Sequence, residues 1–364
     1  MKGLARVLLL LWSITRLVDA QADQEYLLLD DFFAQHPQQQ QLTEALRGQV
    51  EQQPVPIARR YRKPIRIAVV YPGNQSSDYW RRSLEVFSRR LNELDINYQL
   101  HSYFSRPSLD SEQLQQQVRE ALQRDPDYLV FTLDSDAHKR VIERLLGRGQ
   151  PKLILQNITT PRREWQESPP LLYTGFDHQQ GTQILADTLF NDPQYAPKRV
   201  SVIFRDKGYV SAMRGQTFID RLQQQGATLV SSYYTDSDQH SARKAALDAL
   251  DHNPELDLIY ACSTDVALGI AQALEERGKR DQVKVNGWGG GREELAAIAS
   301  GQLDLTVVRL NEESSIAMAE AIKNDLSGLP VPQVYNGRME PLTRYDSPEF
   351  QAQLTRRAFP YSQP

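Results

Sequence analysis

Continuous apolar runs alternate with amphipathic stretches along most of the chain. Apolar runs separated by segments of helical periodicity predict parallel strands that helices cover on both faces. The predicted strands lie at about 65–72, 97–104, 128–133, 152–157, 171–176, 199–204, 228–234, 257–262, 283–288 and 303–309. The predicted helices lie at about 78–94, 111–124, 136–147, 178–190, 209–225, 240–251, 265–277, 291–300 and 312–326. Two series of this length predict an α/β protein with two doubly wound lobes.

Polar or aromatic residues follow several of these strands directly. The segments are 73–80, 156–160, 262–265, 285–289 and Arg309. In open α/β sheets, small ligands bind beyond the carboxyl ends of the strands, so these residues are expected to share one pocket. The pattern favours a protein that binds a small, oxygen-rich molecule.

The first twenty residues are typical of a cleavable secretory signal. Lys2 and Arg6 precede an apolar run at 7–12, and Ala20 offers a small residue for cleavage. The run is too short to span a bilayer. We therefore expect a periplasmic protein that begins near residue 21. Residues 21–64 are interpreted as an ordered extension with one or two short helices, although the run of glutamines within it alone favours disorder.

Charge and cysteine content exclude several classes of function. Loss of residues 1–20 would move the formal charge from −4 to about −6, and this mild acidity does not favour nucleic-acid binding. Cys262 is the only cysteine, so no intramolecular disulfide can form, and its place at a strand end predicts an inert core thiol. The histidines lack metal-ligand spacing. The glycines at 287–291 do not fit a dinucleotide fingerprint, because position 292 is Arg.

Two arginines are candidates for ligand contact. Arg309 ends a predicted buried strand, where an unpaired guanidinium is unfavourable, so it needs either an anionic or polyol ligand or a salt bridge such as one to Asp265. Arg214 is more simply interpreted as an exposed helix residue. Trp80 and Trp288 fit a core role or a ligand wall equally well.

The starts of two helices carry candidate capping residues. Ser77 or Asp78 is a candidate N-cap of the first helix after residue 73, and the capping role is the preferred interpretation of Asp78. Thr264 or Asp265 is interpreted as the N-cap of the helix after Cys262.

Four strings carry a resemblance to a known family. They are YPGNQSSDYW at 71–80, LILQNITTP at 153–161, YACSTDVALG at 260–269 and NGWGGG at 286–291. They resemble the periplasmic autoinducer-2 receptors of Vibrio-type bacteria, which are quorum-sensing members of the type I periplasmic sugar-binding protein family. The similarity runs from about residue 26 to residue 362. It implies the type I periplasmic-binding-protein fold, in which three crossovers join two parallel-sheet lobes around a ligand cleft. The implied lobes are 66–158 plus 310–330 and 159–309 plus 331–364.

The same resemblance implies a ligand, a partner and a set of site residues. The ligand is autoinducer-2 as a furanosyl borate diester. For the protein, the resemblance implies no metal or cofactor other than the boron of this ligand, and no enzymatic activity. The partner is the periplasmic domain of a LuxQ-type membrane sensor kinase in a two-component system. The implied ligand contacts are Gln75, Ser77, Trp80, Asn157, Arg214, Thr264, Trp288 and Arg309, with Asp265 behind them to orient an arginine. Two guanidiniums suit a borate anion, and the amide and hydroxyl groups suit its hydroxyls.

Other functions remain open at this point. The nearest is a ribose-type sugar-binding protein that delivers its ligand to an ABC importer; sugar sites of this fold usually rely on carboxylates, whereas the implied set has two arginines. A glycoside hydrolase would need two carboxylates about 5 to 10 Å apart, and no such pair is evident. A transcriptional repressor core shares the fold, but the export signal argues against it.

Overall fold

The structure, a computed structural model, describes residues 25–59, 61–73, 78–105, 111–133 and 135–362. In these ranges, strands and helices alternate and build parallel sheets that helices cover, which confirms the predicted α/β class. The predicted signal segment at 1–20 lies outside the described residues.

The elements fall into three consecutive stretches of chain. The first stretch contains α1 (Leu29–Gln35), α2 (Pro37–Glu51), β1 (Ile65–Tyr71), α3 (Tyr79–Glu93), β2 (Tyr98–Phe104), α4 (Ser111–Gln123), β3 (Tyr128–Thr132), α5 (Asp136–Leu146), β4 (Lys152–Gln156), a 3-10 turn (Arg163–Trp165) and β5 (Leu172–Gly175). The second contains α6 (His178–Asn191), β6 (Arg199–Ile203), α7 (Tyr209–Ser211), a π-helical segment (Ala212–Gln216), α8 (Thr217–Gln224), β7 (Thr228–Tyr233), α9 (Gln239–His252), β8 (Leu258–Ala261), α10 (Thr264–Glu276), β9 (Lys284–Val285), α11 (Arg292–Ala299) and β10 (Leu305–Arg309). The third contains α12 (Glu313–Leu326), β11 (Val334–Asn336), β12 (Met339–Thr343) and α13 (Pro348–Ala358).

The first lobe is built on a six-stranded sheet with the order β11-β5-β4-β3-β1-β2. Successive residues of a strand point to opposite faces of a sheet, so a strand buried on both faces is apolar throughout. Val69 of β1 belongs to the core cluster under α3 and α12, whereas its neighbour Val70 belongs to the cluster under α4 and α5. Both side chains are at most 1% exposed, which explains the continuous apolar run.

The second lobe is built on a four-stranded parallel sheet with the order β7-β6-β8-β9. Parallel bridges from Asn286 to Leu305 and from Gly289 to Val308 extend it to β10, which pairs antiparallel with β12. Gly290 has φ +64°, and a Cβ atom there would lie 2.7 Å from the Cα atom of Val308. Only glycine permits this approach, so one role of the glycine segment is close packing against a neighbouring strand.

The crossovers between the lobes fall at positions that differ from the expected boundaries. β5 and β11 both pair within the first sheet, so the chain changes lobe after Gly175 and again after Asn336, not after residues 158 and 330. The remaining crossover lies between β10 and α12. The difference arises because an apolar run shows that a strand is buried but does not show which sheet it joins.

The extension and the carboxyl-terminal residues both pack beside the crossovers. α1 and α2 make the extension an ordered structure, and the Thr43 hydroxyl donates to the Val334 carbonyl over 2.7 Å. α13 packs in the second lobe, but the residues after it reach α3 of the first lobe, where Arg82 donates to the Ser362 hydroxyl over 2.6 Å. The amide of Tyr361 donates to Glu312, beside a crossover. Residues 359–362 therefore link the two lobes, and we call them the tail.

Candidate ligand-binding cleft

The carboxyl ends of several strands meet between the lobes, as the strand-end pattern predicted. β4 leads into Asn157, β8 into Cys262, β9 into Trp288, and β10 ends at Arg309. The predicted contacts Gln75 and Ser77 lie outside the described residues.

Arg309 is buried and makes only uncharged contacts among the residues that the structure describes. Its side chain is 6% exposed, and its Nε donates to the Gly289 carbonyl over 3.3 Å. The guanidinium carbon lies 4.2 Å from the ring centroid of Tyr79 and 5.7 Å from that of Phe176. No described carboxylate lies within 4.0 Å of its charged nitrogens. Burial lowers the pKa of Arg309, although the group stays cationic at any physiological pH.

Arg214 is also buried, so the interpretation as an exposed helix residue was wrong. The predicted helix at 209–225 contains a π-helical segment at Ala212–Gln216, whose extra residue turns the following side chains relative to a regular α-helix. Within it, Arg214 is 5% exposed and donates from Nη1 to the Cys262 carbonyl over 2.8 Å. Burial, with the charge of Arg309 next in importance, holds the pKa of Arg214 well below its ordinary value.

Trp288 provides the flat surface on which Arg214 rests. The guanidinium carbon of Arg214 is 3.4 Å from the indole centroid, and the indole is 1% exposed. The indole N–H donates to the Thr182 hydroxyl over 3.3 Å, which fixes the ring plane. Of the two roles that the sequence left open for Trp288, the structure shows the core role, and the ligand-wall role stays a prediction. Trp80 lies in the first-lobe core, with its ring 4.7 Å from Tyr71.

His178 is a site residue that the sequence reasoning missed. It is the first residue of α6, 1% exposed, and its Nδ1 lies 3.4 Å from Nε and 3.3 Å from Nη2 of Arg214. Its Nε2 lies 3.3 Å from the carbonyl oxygen of Asn157. Burial, followed by the charges of Arg214 and Arg309, holds the pKa of His178 well below its ordinary value. The strand-end rule applied to β5 would have identified it, since it lies three residues after Gly175.

The carboxylate of Glu294 organises the segment around Trp288. It is 0% exposed and accepts four hydrogen bonds. The donors are the hydroxyls of Thr264 and Thr306, each at 2.6 Å, and the amides of Trp288 and Gly290, at 3.0 and 2.9 Å. Thr264 is therefore tied to Trp288 through one shared acceptor. The sequence pattern did not identify Glu294, because its role depends on α11 lying beside β10, where Thr306 donates to it.

One predicted helix cap is wrong, and another is confirmed in position but not in its side-chain bond. Ser263, not Thr264 or Asp265, is the N-cap of α10, because it alone has the extended backbone, and it accepts from the Val266 amide. Asp265 accepts from Gln239 over 3.3 Å. Asp78 is the N-cap residue of α3, as predicted, but its side chain makes no capping bond. Its carboxylate instead accepts from Arg82 over 2.5 Å and lies 4.0 Å from Arg292 of the second lobe.

Asn157 and Cys262 contribute backbone carbonyls to this cluster. The Asn157 carbonyl contacts His178, and the Cys262 carbonyl accepts from Arg214. Asn157 has φ +66°, a conformation that asparagine adopts more readily than most residues, and its side chain is half-buried. Cys262 is fully buried, and burial raises the pKa of its thiol to about 12, which matches the predicted inert role. Among the described residues, no cluster of three or more His, Cys, Asp or Glu side chains could hold a metal ion.

Two lobes that share a cleft lined by buried, charged side chains define a ligand-binding protein of the hinged, two-lobe class. Residues 67–329 match the family model of the periplasmic binding protein domain, and the chain belongs to this family. Members are typically periplasmic, and they are binding proteins, so the chain is not an enzyme. No helix in the described ranges has both the length and the apolar character to cross a membrane.

One relative matches a short part of the chain in sequence, and two solved structures agree with the fold. The D-allose-binding periplasmic protein of Escherichia coli is 35% identical over 81 residues, which is 22% of this chain and only 26% of that relative. A carbohydrate transporter solute-binding protein of Agrobacterium radiobacter, solved with D-arabinose, has a TM-score of 0.68 at 18% identity over 81% of this chain and 99% of its own. An ABC transporter solute-binding protein of Actinobacillus succinogenes, solved with D-allose, has a TM-score of 0.66 at 19% identity over 80% and 100%.

Proposed function

We propose that this chain is a LuxP-type receptor that binds autoinducer-2 as its furanosyl borate diester in the cleft. The observation that carries the proposal is the pair Arg214 and Arg309. Both guanidiniums are buried and neither has an anionic partner among the described residues. A buried charge is stable only when it is paired, so the missing partner is best supplied by a ligand that carries negative charge.

The rest of the cleft supports a ligand that is polyhydroxylated as well as charged. Arginine presents several N–H donors in a planar fork, which suits the oxygens of a tetrahedral borate. Thr264, with its hydroxyl held by Glu294, and Asn157, at the end of β4, add polar groups near the strand ends. Trp288 supports the guanidinium of Arg214 on the face of its indole and so helps to hold that charge in place.

Signalling to a LuxQ-type sensor kinase is the second half of this proposal. A ligand that contacts both lobes favours the form in which the lobes approach, in proportion to its difference in affinity between the two forms. The structure offers contacts that depend on that approach, such as the 4.0 Å pair between Arg292 and Asp78. A kinase periplasmic domain that reads lobe position would respond to the ligand. Co-purification with that domain tests this half, and a complex that is unaffected by ligand contradicts it.

The second candidate function is delivery of an uncharged sugar to an ABC importer. The ligands of the two related structures, D-arabinose and D-allose, favour it. It does not account for two buried arginines that have no carboxylate partner in the described part of the chain.

Thermal unfolding of ligand-stripped protein separates the two candidates. The additions are autoinducer-2 with borate, autoinducer-2 without borate, D-ribose, D-allose and borate alone. A ligand that binds only the native state stabilises it by about 2.7 kcal/mol at one hundred times its Kd, which raises the unfolding midpoint. We expect a rise only with autoinducer-2 plus borate. A rise with an uncharged sugar and none with the borated signal contradicts the receptor function and supports the importer function.

A further inference from the structure

Within the described ranges, every group that fixes the position of Arg214 is uncharged. The Cys262 carbonyl holds Nη1, the indole of Trp288 covers one face, and the Nδ1 atom of His178 lies within 3.4 Å of Nε and Nη2. An arginine in a protein interior is usually oriented by a carboxylate, which also cancels its charge. Here the orienting group at Nε and Nη2 is an imidazole.

The contacts of His178 define its protonation state. Its Nε2 faces the Asn157 carbonyl, which can only accept, so Nε2 carries the proton. Nδ1 faces two N–H donors of Arg214, so it carries a lone pair. The ring is therefore a neutral imidazole whose tautomer is set by the hinge backbone at Asn157 and whose free lone pair is aimed at the arginine.

The surroundings of His178 also disfavour a second proton on its ring. The cationic groups that face it are Arg214 in the π-helical segment and Arg309 at the end of β10, with Arg205 after β6. The ring of Tyr209 in α7 lies 5.6 Å away and that of Trp288 lies 5.4 Å away. Asp177 is the adjacent residue on its own element, but its carboxylate is engaged by the Thr159 hydroxyl and the Gln180 amide.

We propose that His178 sets the charge preference of the cleft, because it orients Arg214 without neutralising it. The full positive charge of both arginines is thereby left for the ligand. A carboxylate in the same place would hold Arg214 equally well and would convert the site to one that prefers neutral polyols. His178 is a positioning residue in this proposal: it acts through Arg214. The inference rests on the proposed function, since it explains how the site comes to select an anion.

The substitutions His178→Asn and His178→Asp form a matched pair. Both side chains have the same shape and both can place an oxygen near Arg214, but only aspartate adds a negative charge. The measured quantity is the ratio of affinities for a charged and a neutral ligand, by calorimetry. The ligand pairs are autoinducer-2 with and without borate, and D-ribonate against D-ribose.

We expect His178→Asn to keep the ratio within about tenfold of the wild type and His178→Asp to lower it by at least about one hundredfold, which corresponds to roughly 2.8 kcal/mol at 1.4 kcal/mol per factor of ten. Equal ratios in the two variants would overturn the inference. Because a ratio from either ligand pair serves, a wild type that prefers ribonate to autoinducer-2 would refute the proposed function while the comparison of variants still decides the role of His178.

A second measurement requires no ligand and no variant that might fail to fold. Nitrogen-15 NMR of histidine-labelled protein reports which ring nitrogen carries the proton. We expect His178 to remain neutral, with the proton on Nε2, from pH 7.5 down to pH 5.5. A His178 ring that is protonated at pH 7, or that carries its single proton on Nδ1, would overturn the inference.

Discussion

Replacing Arg309 by methionine gives a prediction with two effects of opposite sign. Methionine retains much of the apolar length of arginine and removes the charge. Because Arg309 is 6% exposed and no described carboxylate pairs with it, its burial penalty in the ligand-free protein is not compensated by an ion pair. Replacement of buried charged groups by apolar ones of similar volume is often neutral or stabilising by about 1–4 kcal/mol. We therefore expect the ligand-free variant to be at least as stable as the wild type.

The same substitution is expected to remove ligand binding. Loss of one member of a buried charge pair costs about 3–5 kcal/mol, and each 1.4 kcal/mol is a factor of ten in Kd. Affinity for the charged ligand is therefore expected to fall by roughly two to three and a half orders of magnitude. Calorimetry measures the loss of affinity, and urea unfolding of the stripped protein measures stability.

Arg90 supplies the matched control for this experiment. Its side chain is 2% exposed, like that of Arg309, but it forms an ion pair of 2.6 Å with Glu320, which is 1% exposed. Arg90→Met removes one of the two described cations of this buried carboxylate and leaves Lys323 as the other, so we expect a loss of about 1–3 kcal/mol in stability. The reasoning is refuted if Arg309→Met destabilises the ligand-free protein as much as Arg90→Met does, or if it leaves the affinity unchanged.

The remaining predictions concern His178, Glu294 and the tail. Because the pKa of His178 is depressed in the folded protein, the unfolded chain takes up a proton below about pH 6.5 that the folded protein does not, so stability is lost as the pH falls. His178→Asn is expected to flatten this dependence by up to about 1.4 kcal/mol per pH unit between pH 6.5 and 5. Urea unfolding at several pH values measures it, and the same pH dependence in the variant and the wild type would contradict the prediction. Glu294→Gln replaces two acceptor oxygens, which serve four donors, by one oxygen and an NH₂ group. We expect a loss of about 2–4 kcal/mol in stability and weaker ligand binding. Glu293→Gln, on the same helix, is the control and is expected to have the smaller effect. Deletion of residues 360–364 removes the contacts of Tyr361 and Ser362 with Glu312 and Arg82. We expect a lower affinity for the ligand with an unchanged circular dichroism spectrum. An unchanged affinity would show that the tail has no influence on the lobes.

Hydrophobic periodicity predicted the sheets and helices well because the strands are buried on both faces. β1 and β3 are apolar over most of their length, and the structure places them within a residue of their predicted ends. β11 and β12 escaped prediction because they are short, and β12 is only partly buried. The membership of β5 in the first sheet depends on its pairing with β4, which no local pattern encodes.

The site was less accessible to sequence reasoning, for physical reasons that differ between residues. Arg309 follows an apolar strand, so its burial could be inferred directly from its neighbours. Arg214 could not be, because its inward direction depends on the π-helical segment rather than on regular helical spacing. Glu294 and His178 act through partners far away in sequence, such as Thr306 and Arg214, and only the folded chain brings them together.

The burial of Cys262 has a practical consequence for measuring lobe motion. With a thiol that is inaccessible and whose pKa is about 12, the native protein presents almost no thiolate to a maleimide dye at neutral pH. Since this is the only cysteine in the chain, new cysteines can be added to the wild-type sequence without first removing it. Gly226 in one lobe and Gly149 in the other have open space around them. Their positive φ angles, +72° and +69°, make the neighbouring residues Gln225 and Arg148 the better labelling positions. A pair of dyes there would report the distance between the lobes in single molecules, with and without ligand.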